Sequence, residues 1–186
     1  MNKHIIIPLS IVFISILVFF KVATNLSSVL LFIPGILVTY IVYLNTFYKH
    51  TPKPDRILPL YLLLLGVQFL HFAEEYLTGF HIEVPKLMGQ EAYSLDYWTT
   101  FNMVAYFIFT LGGIIIFKRL KEYMIVPLFF IIVGVILNSI GHILISMCMG
   151  GYFPGLYTSF VYLVVGPIII KIILEETKIN SPIRLK

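Results

Sequence analysis

In the stretch Leu70 to Phe80, LHFAEEYLTGF, a histidine is followed three and four residues later by two adjacent glutamates. On a helix, residues three and four apart lie on one broad face, so Glu74 or Glu75 can share a metal ion or a proton with His71. The two carboxylates are themselves about 100° apart around the axis, so one can bind while the other hydrogen-bonds to the site or to a substrate. Farther along, NSIGH puts Asn138 and His142 one turn apart on a single face. Mixed imidazole and carboxylate donors suit Zn²⁺ or Fe, and an open position on such an ion activates water or oxygen. The candidate metal ligands are therefore His71, Glu74, Glu75 and His142. The candidate catalytic residues are Glu74 and Glu75, either of which is a general base when not a ligand, and Asn138 beside them.

The elements that carry these residues are set by composition. Of 186 residues, 59% are hydrophobic and 12% charged, and the mean hydropathy is +0.96, the balance of an integral membrane protein. Continuous apolar runs of about 20 residues cross hydrocarbon as helices. A β-barrel would instead alternate apolar and polar residues in segments of about ten. The expected fold is an all-α polytopic bundle forming a single domain, with six spans at residues 5–23, 27–47, 57–78, 99–117, 123–149 and 153–174. Pro34 and Pro167 fall inside spans and are expected to kink them. The first span resembles a signal-peptide core but lacks a clear cleavage pattern in KVATN, and is read as a membrane helix. The single cysteine, Cys148, excludes an internal disulfide framework.

Eleven of the thirteen basic residues, from Lys3 through Lys49, Lys53, Arg56, Lys118, Arg119, Lys121, Lys171 and Lys178 to Arg184 and Lys186, fall on one side of this topology. Only Lys21 and Lys86 fall on the other, which places both termini in the cytoplasm. The net charge of +4 is then a cytoplasmic collar facing membrane lipids and calls for no nucleic acid. The composition points to a bacterial cytoplasmic membrane. On the outer side, a connection of about twenty residues, 79–98, carries His81, Glu83, Glu91, Asp96 and Trp98. His71, Glu74, Glu75, Asn138 and His142 all fall at similar depth near that side, and Asn102 of the fourth span is a weaker companion. The competing readings are a solvated helix end for the glutamates and interhelical hydrogen bonding for Asn138 and His142. Against the first, a carboxylate at a helix C-terminus opposes the macrodipole at a cost of about 0.3–1 kcal/mol.

The run His71-Phe-Ala-Glu74-Glu75, in a small polytopic chain with a later intramembrane histidine, resembles the HXXEE family of membrane proteins. The resemblance implies a multi-span fold and carries no substrate. A likeness to the CAAX-type intramembrane glutamic proteases stops at the glutamate pair: no arginine follows in YLTGF, and Asn138 precedes His142 where that family has its polar residue following. Likeness to the sterol isomerase-like membrane fold is generic. From the residues themselves, the leading expectation is a metal-dependent membrane hydrolase or oxidoreductase, with Zn or Fe, acting on a lipid or amphiphile at the outer leaflet. The alternatives are a small proton- or cation-coupled transporter and a non-catalytic accessory or immunity-type membrane protein.

Overall fold

A computed structural model describes residues 2–22 and 26–178, with side chains for 2–21 and 32–178. Arg184 and Lys186 of the basic collar, and part of the KVATN segment, lie outside the described residues. Among the described residues the architecture is all-helical. α1 (Lys3–Val22) and α2 (Leu26–Asn45) form an antiparallel pair, followed by α3 (Pro54–Leu77), the short α4 (Phe80–Leu87) and α5 (Leu95–Phe117). A continuous rod then runs from α6 (Ile125–Phe129) through π-helical turns (Phe130–Leu137) into α7 (Asn138–Met149), and α8 (Leu156–Thr177) closes the bundle. Among the described residues, five helical segments, α1, α3, α5, the Lys121–Met149 rod and α8, are long and apolar enough to span a membrane. α2 adds a shorter described apolar run from Phe32 to Asn45, consistent with a bundle of about six spans. These are the helices that apolar runs of this length must form, since hydrocarbon offers no partner to an open backbone.

The long outer connection differs from its expected form. Residues 79–98 are not an extended loop: α4 occupies Phe80–Leu87, and α5 begins at Leu95, four residues earlier than expected. Gly79, at φ +81°, turns the chain sharply out of α3 into α4, a conformation that favours glycine. Pro34 and Pro167 lie inside helices that continue past them.

α3 is the axis of the assembly, packed between α5 and α8, while the α6–α7 rod fills the space against α8, α5 and α2. The core along this axis is made by Tyr61, Leu64, Phe130, Ile131, Val135, Tyr162 and Ile169, all essentially inaccessible. Tyr61 donates to the Phe109 carbonyl at 2.6 Å in space left by Gly112, where a Cβ would collide with the hydroxyl. α1 is peripheral, presenting Leu9, Phe13, Ile14 and Leu17 outward, as a lipid-facing helix does.

The basic residues gather at one end. Arg56 binds Glu176 at 2.7 Å, Arg119 donates to the Thr51 carbonyl at 2.9 Å, and Lys3 pairs with Glu122 at 2.9 Å. The start of α1, the α2–α3 and α5–α6 connections and the end of α8 therefore share one end, and the histidine and glutamate residues lie towards the other.

Candidate metal centre

Helical spacing puts His71 and Glu75 on the same buried face of α3, and the rod delivers His142 opposite them. Only 0% of His71, 6% of Glu75 and 3% of His142 is exposed, far below what ionisable residues at a frayed helix end would show. Glu75 Oε1 stands 3.3 Å from Nε2 of His71 and 3.3 Å from Nε2 of His142. The two rings meet edge to face with centroids 4.8 Å apart. One donor atom from each of the three residues falls within 4.8 Å of the others. Ligands bonded tetrahedrally at about 2.0–2.2 Å from one ion are about 3.4 Å apart. Both carboxylate–imidazole separations already have that value, and both exceed the roughly 2.7–2.9 Å of a charge-assisted N–H···O bond. His71, Glu75 and His142 thus form a buried group that can hold a metal ion.

Asn138 also reaches this group, its Nδ2 lying 2.9 Å from His71 Nε2. It is the first residue after the π-helical turns, whose wider winding rotates everything that follows on the rod. Asn102 takes no part: its amide donates to the Trp98 carbonyl of its own helix at 2.9 Å.

Glu74 points elsewhere. Its Oε1 accepts from the Tyr152 hydroxyl at 2.8 Å and the Tyr157 N–H at 2.9 Å, and its Oε2 from the Thr158 N–H at 2.9 Å and the Thr158 hydroxyl at 2.6 Å. Tyr157 and Thr158 are in the first turn of α8, where backbone N–H groups have no helical partner. Gly155, the residue preceding that helix, brings no capping side chain. Glu74 supplies the cap from α3, and its charge sits at the positive end of the α8 dipole, which offsets the unfavourable end of its own helix. The same Thr158 hydroxyl lies 2.6 Å from His71 Nδ1.

Gly155 must be glycine on two counts. Its φ is +90°, and a Cβ there would stand 2.5 Å from His142 Cε1, 2.7 Å from His142 Nδ1 and 2.8 Å from His71 Cε1. The backbone leading into α8 is therefore a wall of the site. Phe80 of α4 and Phe153 cover His142 with ring centroids 5.5 and 6.0 Å away, and Trp98 stacks on Phe72 and Phe80 behind them. Beneath the site, Tyr162 lies 5.4 Å from the His71 ring and donates to Gln68 at 2.7 Å, while Gln68 reaches the Tyr106 hydroxyl at 3.2 Å. His142 Nδ1 and Ser146 Oγ, one turn apart on α7, are buried without a hydrogen-bond partner among the described residues.

Of the residues picked out by spacing, His71, Glu75, His142 and Asn138 meet, while Glu74 stands one hydrogen-bonded step away. Thr158, Gly155 and Tyr152 are not legible as site residues in the sequence. The available signal was indirect: a glycine-led helix start at the depth of Glu74 leaves N–H groups that an acidic side chain would satisfy.

A family model described as "Protein of unknown function with HXXEE motif" matches residues 62–170, more than half of the chain and all of the residues just described. The chain belongs to that family. No curated protein and no solved structure matches it.

Proposed function

We propose that this HXXEE-family chain is a membrane-embedded metalloenzyme in which His71, Glu75 and His142 hold Zn²⁺ or Fe²⁺. Its substrate would be a lipid or another amphiphile entering from the outer leaflet. One observation supports the reading above others: two imidazoles and one carboxylate, from two helices, converge inside an apolar bundle, with both carboxylate–imidazole separations at 3.3 Å and all three donors within 4.8 Å of one another. Two histidines and a carboxylate are the donor set of catalytic zinc and of non-haem iron, and three protein ligands leave positions for substrate. When bound, the ion supplies Lewis-acid or redox chemistry in a site from which water is largely excluded.

The chain's own residues divide the remaining work. Burying the Glu75 carboxylate inside the bundle costs several kcal/mol, a penalty that a bound cation offsets. The Asn138 amide faces the inner nitrogen of His71, and once that nitrogen is engaged its N–H is free to donate to a substrate oxygen where negative charge develops. Glu74 is poorly placed as a general base, because both its oxygens already accept two donors each. Phe80, Phe153 and Trp98 form an aromatic cover suited to an apolar chain.

Metal analysis of the purified protein tests this. Near-stoichiometric Zn or Fe is expected, lost in His71→Ala, Glu75→Gln and His142→Ala variants that remain folded, together with a changed lipid profile in cells lacking the protein. Metal-free protein with full cellular effect would overturn it. The near-complete burial of all three residues also suits a non-catalytic accessory protein whose polar cluster only ties helices together. In that case folded Glu75→Gln would keep its cellular effect.

A further inference from the structure

We propose that Glu74 is a positioning residue: acting through the Thr158 hydroxyl, it fixes the His71 proton on Nδ1 and so aims the Nε2 lone pair at the metal position. The inference rests on reading His71, Glu75 and His142 as ligands, and it assigns the two glutamates of the motif different jobs.

The argument is a count of protons. A threonine hydroxyl has one hydrogen to donate and lone pairs to accept with. Thr158 Oγ1 stands 2.6 Å from Glu74 Oε2 and 2.6 Å from His71 Nδ1. An ionised carboxylate only accepts, and Glu74 has four donors converging on it, two of them backbone N–H groups that have no alternative role. The Thr158 hydrogen therefore goes to Glu74. Towards His71 the hydroxyl can only accept, so Nδ1 carries the imidazole proton. A neutral imidazole has one N–H, which leaves Nε2 as a bare acceptor. The far side of the ring agrees: the Asn138 amide nitrogen, a donor, lies 2.9 Å from Nε2.

Nε2 is also the atom 3.3 Å from Glu75 Oε1, the inner edge of the cluster. Metal-binding histidines are ordinarily held by a carboxylate or carbonyl on their other nitrogen, and loss of that partner weakens metal binding about 10–100-fold. Here the carboxylate acts through one intervening hydroxyl, and the intermediary is rigid because Glu74 also grips the backbone of the residue that bears it. His142 has no such arrangement: its Nδ1 is buried and unpartnered among the described residues. His71 is thus the pre-oriented ligand and His142 the adaptable one.

The test uses full-length protein in detergent micelles with ¹⁵N-labelled histidine, the His71 signals being assigned by their loss in His71→Asn. In the metal-free wild type, His71 is expected as the Nδ1–H tautomer. Zn²⁺ titration against a chromophoric chelator should show about 10–100-fold weaker binding for Thr158→Val and near wild-type binding for Thr158→Ser, which restores the hydroxyl. A wild-type Nε2–H tautomer overturns the proposal, as does unchanged tautomer and Zn²⁺ affinity in folded Thr158→Val. If Thr158→Val does not fold, the wild-type tautomer still decides. Failure of the wild type to bind Zn²⁺ or Fe²⁺ overturns the ligand reading instead, and the tautomer then judges the relay alone, with Nδ1–H upholding it and Nε2–H overturning it.

Discussion

The tightest constraint on the site is the backbone of Gly155, and replacing that glycine with alanine is the sharpest way to test the geometry. At φ +90° any L-residue is strained, by about 1–2 kcal/mol. The added Cβ also meets His142 Cε1 at 2.5 Å and His71 Cε1 at 2.8 Å, where ordinary contact begins at 3.4 Å. Relief therefore needs displacements of about 0.9 Å and 0.6 Å at the two rings, whereas a functional constellation tolerates about 0.5 Å. Withdrawing the backbone instead pulls the Tyr157 and Thr158 N–H groups away from Glu74, 2.9 Å distant, and uncaps α8. Either way Gly155→Ala should weaken Zn²⁺ binding at least tenfold, or about 1.4 kcal/mol, and lower the melting temperature of the metal-free protein. Gly141→Ala is the control: it lies one residue from His142 in the helix, and an added Cβ there meets nothing within 4 Å. That variant should bind metal normally, with stability unchanged or raised by up to about 1 kcal/mol. Chelator competition and thermal unfolding in micelles read both quantities. If Gly155→Ala binds Zn²⁺ within twofold of wild type and melts at the same temperature, the two imidazoles are not packed on this backbone, and the close-packed centre is wrong.

Three other outcomes are expected. Zn²⁺ at 100 times its dissociation constant should stabilise the folded protein by about 2.7 kcal/mol, a shift reversed by chelator and abolished in Glu75→Gln, as thermal unfolding with and without metal would show. Gln68→Leu should strand the buried hydroxyls of Tyr162 and Tyr106 and cost about 1–3 kcal/mol in unfolding measurements while leaving Zn²⁺ affinity unchanged; a large loss of affinity would mean that this polar chain belongs to the centre. For orientation, in a Cys148→Ser background, Gln90→Cys should react with an impermeant maleimide added to intact cells and Lys118→Cys should not. The reverse pattern would invert the positive-inside reading.

How much of this was legible in the sequence differs from residue to residue. The spans were legible because hydrocarbon forces an uninterrupted apolar run into helix, and their ends fall within about four residues of the apolar runs. The shared basic end was legible because lysine and arginine segregate by side of the membrane. That His71 and Glu75 share a face follows from helical periodicity alone. α4 was harder to see: its eight residues, FHIEVPKL, contain a proline and polar residues and carry no long periodic signal.

The partners across helices were beyond local rules. The sequence by itself determined an all-helical membrane bundle and a histidine with two glutamates near one helix end. Only the tertiary structure decided that the glutamates part company. One turns into the bundle between His71 and His142, and the other caps a helix eighty residues away. The physical reason is that residues one apart on a helix point about 100° apart, so they meet different neighbours. Which neighbours those are depends on how α3, the rod and α8 pack, and on a glycine at 155 that leaves the α8 start uncapped and the two imidazoles room to meet.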